Sequence, residues 1–251
     1  MPERASDFNE RAFTIWRPSH FGGEKVLGVT ATQLDGTGLG PAERKRVLAE
    51  WIEFFRSAET DIRELQLVSR VPQELLDSLA GQPQLEVLLV KWGPYRDVKG
   101  LGALTKLTTL RLGGATALES IEPLHGLPNL TTLAIVQPHR LDGTSTLREL
   151  TGLTALTFGN DHPGDDRNVV IEDLSWVEPL RELRSLALPG TRLVNPDLTP
   201  LLALPNLETL RLPLRRAYRA QVFELAETSQ VFAQVAHEYE AYESWRATLK
   251  N

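Results

Sequence analysis

The 251-residue chain contains no cysteine, a single methionine, and only 7% aromatic residues. Without cysteine there is no disulfide framework, thiol nucleophile, C-x-x-C redox pair or thiolate zinc site, and a reducing compartment suits it. No segment reaches the ~18 consecutive apolar residues that would span a bilayer, and the opening MPERASDFNERAF lacks the apolar stretch of a signal peptide. A cytoplasmic location is therefore expected. Positive charge is also short: 27 Lys and Arg stand against 33 Asp and Glu, a net −6. That argues against a general nucleic-acid or anionic-membrane binder, because such surfaces need clustered cations. What remains is ordinary globular material, 41% hydrophobic and 24% charged, in a chain long enough for a sizeable core.

One internal pattern organises it. L-x-x-L-x-L or a close variant occurs seven times: IRELQL from Ile62, LEVLLV from Leu85, LTTLRL from Leu107, LTTLAI from Leu130, LTALTF from Leu153, LRSLAL from Leu183 and LETLRL from Leu207. The copies begin 23, 22, 23, 23, 30 and 24 residues apart. Side chains alternate along a strand, so the fourth and sixth positions (Leu110 and Leu112, Leu133 and Ile135, Leu186 and Leu188) share one face and are expected in the core. A return segment follows with its own aliphatics, as in Ile121, Leu124, Leu127 or Leu198, Leu201, Leu204. One such unit cannot bury both of its faces, whereas stacked neighbours make a continuous core.

These residues resemble the leucine-rich-repeat superfamily, and most of all its internalin-like bacterial type. SIEPLHGLPNL from Ser120 and DLTPLLALPNL from Asp197 match the return segment of that type, and the resemblance covers roughly Ile62 to Leu212. It implies an α/β fold: a right-handed leucine-rich-repeat solenoid with a parallel sheet on its concave face, used mostly for protein or peptide binding. The family usually places an asparagine at the ninth repeat position to tie neighbouring turns. Here that position reads Arg70, Gly93, Ala115, Pro138, Asp161, Thr191 and Arg215, so irregular turns are expected.

The open ends of a stacked core need closure. Residues 1–60 are expected to form an N-terminal strand-helix cap: strand character from Glu24, a turn cluster DGTGLG from Asp35, and a helix from Pro41 with Val47, Leu48, Trp51, Ile52 and Phe55 at helical spacing. Residues 61–214 carry the seven repeats, and 215–251 a C-terminal helical cap. That cap has Val222, Leu225, Phe232, Val235, Tyr239, Tyr242 and Trp245 as its apolar set, in one helix or in two broken near Ser229.

Candidate chemistry is sparse. The glycine loop Gly36–Gly40 before a helix invites a phosphate-binding interpretation. It matches neither G-x-G-x-x-G nor the P-loop, and a tight turn explains it better. A small-ligand or enzymatic site in this N-terminal module is kept as the alternative function. The longer fifth repeat carries Asn160 to Asn168, with Asp161, His162, Asp165 and Asp166. These oxygens suit a hard cation but lack EF-hand spacing, and a loop without metal is expected. No G-x-S-x-G elbow or H-E-x-x-H is present, so no catalytic residue and no cofactor is assigned. RLPLRRAYR, from Arg211, would suit an acidic peptide or phosphate, or pair with glutamates of the C-terminal helix.

Geometry points instead to the face opposite the core. Positions three, five and seven of each repeat lie there, and its middle is small and nearly uncharged. Residues expected to bind a protein or peptide partner are Lys91, Trp92, Tyr95, Thr109, Arg111, Thr132, Ala134, Thr157 and Arg211. The rings of Trp92 and Tyr95 and the two arginines are of the types enriched at interaction hot spots, although Trp92 also suits the edge of the core.

Overall fold

A computed structural model describes residues 12–162 and 165–249. The opening stretch 1–11, read above for its lack of an apolar leader, and Pro163 and Gly164 of the acidic loop lie outside them. The described residues form eleven strands and four α-helices, in two compact units, Met1–Asp142 and Gly143–Asn251.

The first unit contains β1 (Phe13–Ile15), β2 (Val26–Val29), α1 (Pro41–Ser57), β3 (Glu64–Arg70), α2 (Gln73–Ser78), β4 (Val87–Trp92), β5 (Thr109–Leu112) and β6 (Thr132–Val136). Its strands lie side by side in chain order, every pairing parallel. The second contains β7 (Ala155–Gly159), β8 (Val169–Ile171), β9 (Ser185–Ala187), β10 (Thr191–Leu193), β11 (Thr209–Arg211), α3 (Arg216–Ala226) and α4 (Gln230–Thr248). Here β7, β9 and β11 run parallel in that order, and β8 pairs with β10 in a separate parallel ribbon.

The repeat motif maps onto this architecture residue for residue. Each of the seven repeat strands, β3 to β7, β9 and β11, starts at the third residue of its motif. The fourth and sixth positions are buried in all seven, from Leu65 and Leu67 to Leu210 and Leu212. Return segments form short 3-10 turns, Lys99–Ala103 and Glu122–Gly126 in the first unit, and Ser145–Glu149, Ser175–Val177 and Thr199–Ala203 in the second. Leu101, Leu124, Leu147, Val177 and Leu201 in these turns are buried, Leu202 is exposed, and successive turns pack on one another within each unit. The repeats are therefore leucine-rich-repeat turns with their core between strand and return wall.

The missing ninth-position asparagine is replaced by ties at other positions. Asn129 and Asn206 stand just ahead of a repeat strand, and each donates its side-chain N–H to a carbonyl of the preceding turn, Thr105 at 2.8 Å and Arg181 at 3.0 Å. Ion pairs Arg63–Glu86, Arg96–Glu119 and Arg184–Glu208, each with a closest approach of 2.7 Å, also reach one turn along the chain. In the last repeat Arg215 occupies position nine and donates through Nε to the carbonyl of Thr191, the ninth residue of the repeat before it.

At the chain's start, β1 and β2 continue the parallel order ahead of the first repeat strand, β1 being an addition to the expected single strand. Helix α1 buries Val47, Trp51 and Phe55 and packs on α2 and the turn Leu79–Gly81. The approach is close enough that a Cβ on Gly81 would lie 2.3 Å from the Phe55 carbonyl oxygen. Next to it the buried Gln82 donates to the carbonyls of Phe55 and Ala58, at 2.8 and 3.0 Å, and so satisfies one carbonyl of the last turn of α1 and that of its cap residue.

The C-terminal segment is two helices, with Ser229 at the break. Tyr218, Val222, Phe232, Val235 and Tyr239 are buried. The Leu193 N–H donates to the Tyr218 hydroxyl, and the Tyr239 hydroxyl to the Arg215 carbonyl. The expected apolar set is corrected at its far end: Tyr242 and Trp245 are exposed, because α4 continues beyond the residues that cover its first half.

Candidate functional site

The side of the sheet away from the return turns is built in rows, because parallel register places equivalent repeat positions directly beside one another. In the first unit, position three reads Glu64, Val87, Thr109, Thr132 across β3 to β6, and position five reads Gln66, Leu89, Arg111, Ala134. In the second unit the rows are Ala155, Ser185, Thr209 and Thr157, Ala187, Arg211.

Burial along these rows is uneven. Thr109, Thr132 and Thr157 are half-buried, with short side chains that leave the backbone near the surface. Ala134 belongs to the face by register but is only 1% exposed, as part of its floor, and Gln66, Leu89 and Val136 are closed off similarly. Gln66 donates to Glu64 at 2.6 Å, which occupies the acid at that end of the row. Arg111, flanked in register by Leu89 and Ala134, is half-buried. Its Nε is shut off from solvent without a hydrogen-bond partner among the described residues.

Lys91 is exposed at position seven of its repeat, in β4, and Trp92 after it is 38% exposed. The Trp92 Cβ lies close to Gly114, which has φ +46° and where an added Cβ would lie 2.6 Å from it. Only glycine readily meets both demands.

Tyr95 is a correction. It was expected beside Trp92 on the binding surface, but it is completely buried, its hydroxyl donating to the Gly113 carbonyl at 2.6 Å. β4 ends at Trp92, and at Gly93 the backbone runs so close to the neighbouring strand's exit that a Cβ would strike the Val71 carbonyl at 2.0 Å, so strand alternation does not carry on to Tyr95. Burial pushes the Tyr95 phenol far above its ordinary range, offset in part by the Arg111 charge.

In the second unit Arg211 is exposed and reaches Asp161 at 3.5 Å. Both line a cleft of about 330 Å³ with Asn160, His162, Pro189 and Pro213. The acidic loop is tied to itself: Asn160 Nδ2 donates to the carbonyls of Asp165 and Arg167, and Arg167 pairs with Asp165 at 2.9 Å. Among the described residues no three His, Asp or Glu side chains gather as metal ligands. The remaining arginines of RLPLRRAYR are used internally in two cases: Arg215 also meets Asn168, and Arg219 pairs with Glu243 at 2.7 Å.

The glycine loop has turn geometry. Gly36 and Gly38 have φ of +85° and +75°, and both the N–H and the hydroxyl of Thr37 donate to the Leu34 carbonyl. Glu43 accepts from the Gly40 N–H at the start of α1, and Arg44 pairs with Asp35 at 2.7 Å. No helix among the described residues is long and apolar enough to cross a membrane.

No family model and no curated protein matches the chain. Among solved structures it is similar to an internalin (inlF) of Listeria monocytogenes, 20% identical over 60% of this chain and 47% of that one, with a TM-score of 0.49. It is similar also to internalin C2 (inlC2) of the same organism, 24% identical over 63% of this chain and 64% of that one, TM-score 0.48. A plant peptide hormone receptor, RGFR1, solved in complex with RGF2, is 16% identical over 64% of this chain and 29% of that one, TM-score 0.49. The matched part is less than two thirds of the length of each of these proteins.

Proposed function

We propose that the chain is a non-enzymatic recognition scaffold that binds a protein or peptide partner on the face of its repeat strands away from the return turns, the face expected to be concave. The observation that carries this reading is the pair of registered rows in each unit, where Thr109 and Thr132, and Ala155, Thr157, Ser185 and Ala187, present short side chains at the surface. Such a surface lets an extended chain or a helix approach the sheet closely, and repeat proteins present it over several turns. The absence of cysteine suits a reducing, cytoplasmic setting.

The test is affinity capture from the native cell lysate with the wild-type chain and with Thr132→Arg and Thr157→Arg. Both substitutions are expected to abolish capture of the wild-type partner while thermal unfolding stays nearly unchanged, since neither side chain is in the core. Undiminished capture by both variants rejects the open face as the binding surface.

A further inference from the structure

We propose that the open face of the first unit takes an acidic segment of the partner, a carboxylate docking on Arg111 with Lys91 and Trp92 beside it; this rests on the reading of that face as the recognition surface. Arg111 differs from the arginines along the flanks of the turns, and among the described residues it shares a shut-off Nε without an acceptor only with Arg17. Along the flanks of the turns, Arg63 is held by Asp61 and Glu86, Arg96 by Glu119, and Arg184 by Glu208. Arg111 has no carboxylate within ion-pair distance and its Nε has no acceptor, among the described residues. A charged group stripped of part of its water and given no counter-charge is costly, and a carboxylate arriving from outside removes that cost.

The neighbourhood selects the same ligand. The row of Arg111 holds Leu89 and Ala134 on either side, and Glu64, the acid of these rows in the first unit, stands two strands away, engaged by Gln66. Lys91 lies two residues beyond Leu89 on the same face, about 7–8 Å diagonally from Arg111 in backbone spacing, and it too has no ion-pair partner among the described residues. Two uncompensated cations thus share a patch on a chain whose net charge is −6. Arginine's planar fork matches a carboxylate with two parallel hydrogen bonds. Trp92, next after Lys91 at the end of β4 with its Cβ against Gly114, is 38% exposed and adds an apolar ring at the edge of the patch. Two cations are too few to hold a phosphate backbone, whose binding needs several, so the acid belongs to a polypeptide.

The test pans a displayed library of random dodecapeptides against the full chain and measures the recovered peptides by fluorescence anisotropy. Recovered peptides are expected to contain Asp and Glu at twice their frequency in the unselected library or more, and to weaken as salt rises. Arg111→Gln is expected to reduce their affinity tenfold or more with an unchanged melting temperature, and Arg111→Lys to restore part of it. Peptides that are blocked by Thr132→Trp but show no acidic bias, or that Arg111→Gln leaves unaffected, overturn this inference and leave the open-face reading standing. Binding of a dodecameric oligothymidylate as tight as that of the acidic peptides overturns the polypeptide assignment. Recovery of no binder, or of binders indifferent to Thr132→Trp, overturns the open-face reading and this inference with it.

Discussion

The hydroxyl of Tyr95 donates to the carbonyl of Gly113 at 2.6 Å, eighteen residues along, with the ring wholly enclosed. This single bond fixes the segment after β4 against the residue that follows β5. Tyr95→Phe keeps the ring and is expected to cost about 0.5–1.5 kcal/mol, read as a shift in the urea midpoint.

The same phenol makes stability depend on alkaline pH. Its folded value lies above its unfolded one, near 10, so the folded state holds the proton where the unfolded state has released it. Its contribution is complete below pH about 10 and declines as pH rises further, by up to ~1.4 kcal/mol per pH unit. Denaturation series from pH 9 to 11 should show wild type losing stability more steeply than Tyr95→Phe. Parallel curves would show that Tyr95 ionises freely in the fold.

Gln82 closes the end of α1 from within the core. Gln82→Ala leaves the Phe55 and Ala58 carbonyls without their donor and is expected to cost about 1–3 kcal/mol. Its neighbour offers a steric counterpart: Gly81→Ala forces a Cβ against the Phe55 carbonyl, and about 1–3 kcal/mol is expected. Chemical denaturation of both variants measures the two effects.

Leu133 and Trp245 are a contrast in burial. Leu133→Ala opens a cavity in the repeat core and is expected to cost about 2–5 kcal/mol. Trp245, 56% exposed near the end of α4, is much the larger side chain, yet Trp245→Ser should stay within ~0.5 kcal/mol of wild type. Calorimetric melting of the two variants decides both assignments.

Much of this architecture was legible because the signal was repeated. Seven copies of one spacing located seven strands and their inward residues, from Leu65 to Leu212, and the helix from Pro41 announced itself by its proline and its aliphatic spacing. The misses were short or depended on the path of a turn. β1, β8 and β10 have three residues each, too few for alternation to stand out, and α2 has six. Spacing does not place Tyr95 because it lies past the end of β4, beyond Gly93, whose backbone closes on the Val71 carbonyl, a contact that the sequence pattern does not reveal. On the open face, register was readable but burial was not: Ala134 and Leu89 hold the expected positions yet lie at the floor, closed in by the side chains around them.

The ties that join one turn to the next, Asn129 to Thr105 and Arg63 to Glu86, all span a single repeat length. Cohesion of this kind is handed from neighbour to neighbour, as in other repeat arrays. Gene-level duplication or excision of one whole period in the run of 22- and 23-residue repeats keeps the strands in register, while a tie such as Arg63–Glu86 survives only where the new neighbour carries a matching residue. The extent of the array can thus evolve by unequal recombination while each turn keeps its own sequence.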